Sequence, residues 1–131
     1  MTLEYSSNLR AAGRFGELCR KLAQYMTGLK VEGQPVFPPG GVRVRAVPCD
    51  DYCIADGSVE GAGFVHAILK IGAGRSEAAK AATRNGLFEI MKAHFAAEFA
   101  LHGLALSLEF IEFSESGTLK HNNLHAHFKK T

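Results

Sequence analysis

Hydrophobic positions along the chain alternate between the two-residue period of a strand and the three-and-four period of a helix. Thr2 to Tyr5 reads as a short strand. Ser7 or Asn8 then offers a helix cap, because short side-chain oxygens accept from the first free amides. Apolar residues at Leu9, Ala12, Phe15, Leu18, Leu22, Met26 and Leu29 predict one buried helix face. Gly28 and Gly33 end that helix, and Gly13 and Gly16 weaken it from within. Gln34 to Gly41 is a turn-rich loop. Strand pattern resumes over Val42 to Val47, and a further extended piece, Tyr52 to Ala55, stops at Asp56-Gly57.

The second half repeats the order. Phe64 to Ile71 reads as a strand, apolar along Val65, Ala67, Leu69 and Ile71, and Gly72-Ala73-Gly74 makes a tight turn. Ser76 is a good cap, with Glu77 where the helix dipole favours negative charge. One long helix is predicted from about Glu77 to Leu101, burying Ala82, Leu87, Phe88, Met91, Phe95 and Phe99 and closed by Gly103. Leu104 to Phe113 is a strand with Leu104, Leu106, Leu108 and Phe110 on one face, and the tail after Gly117 is polar and His-rich. The fold class is therefore α+β. It comprises two strand–helix–strand units with parallel pairing inside each and both helices on one face of the sheet. No hinge divides the chain, so residues 1–131 are read as one domain. Val65, Ala67, Leu69 and Ile71 are expected on the face the helices leave bare, which argues for a homo-oligomer.

Composition narrows the function classes. With 47% hydrophobic and 21% charged residues this is an ordinary globular chain rather than a disordered one. A net charge of +2, with Lys and Arg scattered apart from the terminal Lys129-Lys130, does not argue for nucleic acid. No apolar run approaches the roughly 20 residues that cross a bilayer, and no signal peptide opens the chain, so a cytoplasmic protein is expected. Cys19, Cys49 and Cys53 are an odd set expected to stay reduced, and their spacing is not that of a zinc site.

Candidate chemistry centres on three arginines. Arg43 and Arg45 stand two apart on the predicted strand, hence on one face roughly 6–7 Å apart. They either belong to a solvated face paired with carboxylates or hold an anionic ligand, whose carboxylate a guanidinium grips in two places. Arg75 follows the glycine turn at a helix N-terminus, a ready anion site. The turn lacks the Lys and the spacing of a P-loop. His121, His125 and His127 lie close enough in sequence to suggest a metal, but without a carboxylate or cysteine partner a polar tail is the better account, and no metal is expected. His66 reads as a hydrogen-bonded, partly buried strand residue, and no Ser–His–Asp set or Cys–His pair has support beyond residue type.

The order of segments resembles the 5-carboxymethyl-2-hydroxymuconate Δ-isomerase family of the tautomerase superfamily over almost the whole length. The resemblance is carried by Glu4-Tyr5-Ser6-Ser7-Asn8-Leu9, by Phe37-Pro38-Pro39-Gly40-Gly41-Val42-Arg43-Val44-Arg45 and by Ala55-Asp56-Gly57. It continues through Phe64-Val65-His66, Leu104-Ala105-Leu106-Ser107 and Asn122-Asn123-Leu124-His125-Ala126, and is most specific in Leu69-Lys70-Ile71-Gly72-Ala73-Gly74-Arg75-Ser76. It implies a tautomerase-like fold of two β-α-β units related by a pseudo-twofold, a homotrimer, and no cofactor. It also implies an isomerase that moves a double bond in a muconate-type dienol of homoprotocatechuate breakdown by proton transfer. Arginines would hold the substrate's carboxylates, and by motif they fall on Arg43 and Arg75, with Arg45 also matching a family arginine.

The family's base is an amino-terminal proline. Aligning Glu4 puts that proline two positions before Met1, so the Met1 amine is expected roughly 6.6 Å short of the catalytic point. The chain beginning at Met1 is expected to be nearly inactive. The alternatives are an isomerase whose start lies upstream, a non-catalytic trimeric anion binder, and a tautomerase acting on another unsaturated or 2-oxo acid.

Overall fold

Both strand–helix–strand units are present in the computed structural model, which describes residues 1–128. The Lys129-Lys130 pair lies outside the described residues. The first unit runs β1 (Thr2–Ser6), α1 (Phe15–Gly28), a small hairpin of β2 (Lys30–Val31) and β3 (Gln34–Pro35), and β4 (Arg45–Cys49). The second runs β5 (Gly63–Gly72), α2 (Glu77–His94), α3 (Ala96–Leu101) and β6 (Leu104–Phe113), and α4 (Leu124–His127) ends the described chain. The sheet order is β4-β1-β5-β6. β1 is parallel to β4 and β5 to β6, while β1 and β5 meet antiparallel at the centre. Strands linked through a helix are thus parallel within each unit, and the central seam joins the two units head to tail.

One face of this sheet forms the core. Leu3 and Tyr5 of β1 and Val65, Ala67, Leu69 and Ile71 of β5 are buried against Leu18, Leu22 and Met26 of α1 and Leu87 and Met91 of α2. Fully burying one such leucine contributes roughly 1.5–3 kcal/mol. The Phe15 ring stacks on Tyr5 with centroids 3.7 Å apart. Ser76 caps α2 as predicted, its Oγ accepting from Ala79 N at 3.1 Å, with Glu77 in the first turn.

Several boundaries differ from expectation, each for a local reason. Neither Ser7 nor Asn8 caps α1: residues Ser7–Leu9 form a single 3-10 turn, and the helix starts at Phe15 behind a left-handed Arg14. Gly13 N donates to Leu9 O at 2.7 Å, and the Phe15 ring fills the space a Cβ on Gly13 would need. The chain therefore turns here before it coils. Gln34 and Pro35 belong to the hairpin rather than to loop. The strand predicted at Val42 begins only at Arg45 and runs to Cys49, so Arg43 lies in the lead-in. Tyr52 to Ala55 is loop, with no strand partner. The long helix breaks at Phe95, which leaves helical geometry (φ −102°, ψ 17°) and buries its ring beside Phe15. Past that break Phe99 points outward, 62% exposed, not into the core.

The largest correction concerns Val65, Ala67, Leu69 and Ile71. They face the helices, because register sets Val65 opposite Tyr5 and Ala67 opposite Leu3. The bare face instead carries the alternate residues Phe64, His66, Ile68 and Lys70. The argument for a homo-oligomer from those four apolar residues therefore fails. No helix among the described residues is long and apolar enough to cross a membrane.

Candidate active site

Where β1 and β4 begin and β5 and β6 end, the chain encloses a cleft of about 920 Å³. Its lining includes Met1 and Thr2, the segment from Gly41 through Arg43 to Arg45, the end of β5 with Arg75, and Thr118 to His125 of the tail. Among the described residues, five cationic side chains (Arg43, Arg45, Lys70, Arg75 and Lys120) face two carboxylates, Glu4 and Glu115. That imbalance suits an anionic ligand.

Arg75 is the most firmly held. Its Nε donates to Val36 O at 3.0 Å and its Nη1 to Gly72 O at 3.1 Å, while the guanidinium lies 4.5 Å over the Phe37 ring. A guanidinium has five N–H donors, so the bonds to backbone orient the group and leave donors for a ligand. The Phe37 ring, itself buried, adds a cation–π contact. Arg43 donates Nη1 to Gly40 O at 3.2 Å. Arg45 lines the same cleft from the first position of β4. The three arginines thus come together around one space, although Arg43 and Arg45 do not share a strand.

Met1 belongs to this constellation. Its α-amino group donates to Arg43 O at 2.8 Å, and Met1 O accepts from Arg45 N at 3.1 Å, which continues the β1–β4 ladder to the chain's first residue. The amine's pKa falls from 8.0 to about 6, first because burial penalises the charged form, then because Arg45 and Arg43 repel it. An amine so placed is largely neutral near pH 7 and able to take a proton.

The histidines divide. His121 and His125 line the cleft, His125 from α4, so the tail is a wall of the site rather than a solvated end. Among the described residues no three His, Cys, Asp or Glu side chains gather as metal ligands would. His66 is half-buried on the bare sheet face, 2.6 Å from Ser107 Oγ and 3.7 Å from Glu109 Oε1. This Ser–His–Glu row, unforeseen from sequence, lies outside the cleft lining. Sequence reasoning also missed Phe37 and the tail. Two signals pointed there: an aromatic ahead of Pro-Pro-Gly-Gly, and a polar Asn122-Asn123 pair opening a short helix.

Comparison with known proteins identifies the same architecture. The family model described as 5-carboxymethyl-2-hydroxymuconate isomerase matches residues 1–128. The 5-carboxymethyl-2-hydroxymuconate Delta-isomerase of Escherichia coli is 44% identical over 94 residues, covering 72% of this chain and 74% of that protein. The crystal structure of a 5-carboxymethyl-2-hydroxymuconate isomerase from Deinococcus radiodurans R1 superposes with a TM-score of 0.87 at 48% identity, over 98% of this chain and 92% of that one. A more distant likeness, a fused 4-OT wild-type asymmetric trimer, has a TM-score of 0.62 at 19% identity over 99% of this chain and the whole of that one, and shows the shared tautomerase-like fold.

Proposed function

The chain belongs to the 5-carboxymethyl-2-hydroxymuconate isomerase family, and we propose that its cleft binds 5-carboxymethyl-2-hydroxymuconate through Arg43, Arg45 and Arg75. One observation carries this reading: three guanidinium groups from both units, and an amine with its pKa lowered to about 6, border a single space. A substrate bearing several carboxylates needs concentrated, oriented positive charge, and forked donors supply both. The reaction withdraws a proton from one position of the conjugated dienol and returns it at another. Nothing is oxidised or reduced, and atoms balance within the substrate. As the proton leaves, negative charge spreads along the conjugated system toward its oxygens. Donors already held in place by backbone carbonyls stabilise that charge without reorganising.

The proton carrier is an amine at the head of β1. In the chain beginning at Met1 that amine is Met1's own. Continuing the register Thr2↔Ile68 upstream would set two added residues opposite Lys70 and Ile71, one strand end away from the Arg75 turn. By that register a prolyl amine there would lie opposite Ile71, on the side of the cleft that leads to the Arg75 turn. Assembly as a homotrimer completes the reading, in line with the fused 4-OT trimer of like fold. So does a cytoplasmic role in aromatic-compound breakdown that needs no metal or organic cofactor.

The test compares two purified proteins, one beginning at Met1 and one extended to a proline two positions upstream, by loss of the dienol's ultraviolet absorbance. The extended protein is expected to turn over the substrate, with the Met1 form far slower. A folded trimer indistinguishable from buffer in both forms overturns the isomerase reading. If it still binds the substrate saturably through Arg43 and Arg75, the chain is an anion binder.

A further inference from the structure

The tail packs on the loop that carries Arg43, and the two share one carbonyl as a hydrogen-bond acceptor. Gly40 O accepts Arg43 Nη1 at 3.2 Å and Asn122 Nδ2 at 2.9 Å. Two lone pairs allow both bonds at once. The other end of the Asn122 amide is engaged as well, its Oδ1 accepting from Leu124 N at 2.7 Å. These partners determine which end of the amide is nitrogen. Gly40 is buried, and a Cβ there would meet His125 N at 2.7 Å and His125 Nδ1 at 2.8 Å. Only glycine lets α4 settle on the Pro39–Gly41 turn.

Two consequences follow from sharing one acceptor. The Asn122 bond holds the Gly40 peptide in the plane that suits Arg43, so the guanidinium meets a ligand already oriented. The same bond keeps Thr118 to His125 in place as the cleft's outer wall. We propose that Asn122 is a positioning residue for substrate binding, acting through the Gly40 carbonyl on Arg43 while locking the tail over the cleft. This rests on the reading of the cleft as the substrate site. Asn122 works by fixing another residue's geometry, so its removal matters chiefly while Arg43 is there to be fixed.

The experiment is a double-mutant cycle on the full chain, reading the dissociation constant of cis,cis-muconate by calorimetry for wild type, Asn122→Ala, Arg43→Ala and the double variant. Asn122→Ala is expected to weaken binding about fivefold, the effect of one lost hydrogen bond. In the Arg43→Ala background the same substitution is expected to change it by less than about twofold, the cycle's non-additivity marking coupling between the two. Equal losses in both backgrounds, or no loss in either, overturn the proposal while leaving the site reading intact. An Arg43→Ala protein that binds muconate as wild type does overturns the site reading, and the positioning role falls with it. Should Asn122→Ala melt early, Asn122→Ser takes its place, since its uncharged hydroxyl can still accept from Leu124 N but is too short to donate to Gly40 O. The same pattern is expected of it.

Discussion

The two ends of the sheet are built from corresponding parts of the two units, yet they treat polar groups in opposite ways. At the far end, where β1 and β4 finish and β5 and β6 begin, a depression of about 280 Å³ has no charged side chain in its lining among the described residues. Several polar groups there close on the protein's own backbone. Asn8 Nδ2 donates to Ala62 O at 2.8 Å, and His94 Nε2 to Gly13 O at 2.8 Å. Arg14 Nη2 donates to His94 O at 2.5 Å. At the cleft end, backbone carbonyls hold the arginines by some donors and leave the rest facing open space. What distinguishes a site from a scaffold here is cationic donors left open to a cleft on groups whose orientation is already fixed.

Removing charge from one end and not the other is the sharpest way to break that contrast. Arg43→Ala and Arg75→Ala are each expected to lower kcat/KM for the tricarboxylate dienol by about a hundredfold, from charge-assisted bonds of roughly 1.5–3 kcal/mol each. Arg75→Ala should be the more severe, since it also releases Val36 O, Gly72 O and the Phe37 ring. Cys53→Ser, at the far end, is expected to leave kinetics unchanged. Steady-state assays on the three proteins decide the matter. Equal losses at both ends would mean that the fold, not the cleft, is being measured.

How much of this contrast the sequence displays depends on which interactions are periodic. Both helices and the strands Thr2–Ser6, Gly63–Gly72 and Leu104–Phe113 are legible because burial repeats along them. The interruption at Phe95 is not, because one ring's preference for the space beside Phe15 leaves no trace in spacing. The face occupied by Val65 to Ile71 is hidden from the sequence for a related reason. Alternation shows that one side is apolar but not which side the helices cover; pairing with Leu3 and Tyr5 decides that. In the site, Arg43, Arg45 and Arg75 were visible as residue types beside turns and by family resemblance. Their anchoring was not, since it runs through the backbone carbonyls of Gly40, Val36 and Gly72, which any residue could present. The tail's place in the cleft hangs on a missing side chain at Gly40.

A smaller effect concerns the cleft's own proton equilibrium. The Met1 amine takes up a proton less readily than an ordinary terminal amine because of burial, Arg45 and Arg43, in that order. In the protein beginning at Met1, the residual activity that depends on the neutral amine should rise with pH through about 6. Arg45→Ala removes the largest charge repulsion and is expected to move the inflection upward, toward 8.0. Its signature is a shifted kcat/KM profile, apart from any uniform loss of binding. The same lowered pKa makes the folded state bind fewer protons than the unfolded chain between about 6 and 8.0, so stability falls as pH drops across that window. A profile unmoved by Arg45→Ala would separate the amine from the reaction and leave the arginines as binders alone.

The smallest effect belongs to the far end and is read in stability rather than rate. Burial holds the His94 pKa below its ordinary value, with Arg14 and Lys21 lowering it further and the Gly13 carbonyl and Glu17 opposing. Nε2 must carry the hydrogen that Gly13 O accepts, and Nδ1 faces Lys21 Nζ at 3.4 Å, so the folded imidazole is neutral. Its unfolded counterpart takes a proton near pH 6.5. The unfolded state therefore binds more protons as pH falls below about 6.5, and stability is lost until the lower folded pKa is passed. Chemical denaturation between pH 5 and 7 should show a shallower decline for His94→Gln, whose neutral amide can still donate to Gly13 O but cannot titrate. Arg45→Ala at the cleft should keep the wild-type slope below about 6, beneath the window of the Met1 amine, if the two ends are independent. A His94→Gln slope parallel to wild type would show that acid sensitivity resides elsewhere, and the far end would then be a scaffold without a titrating joint.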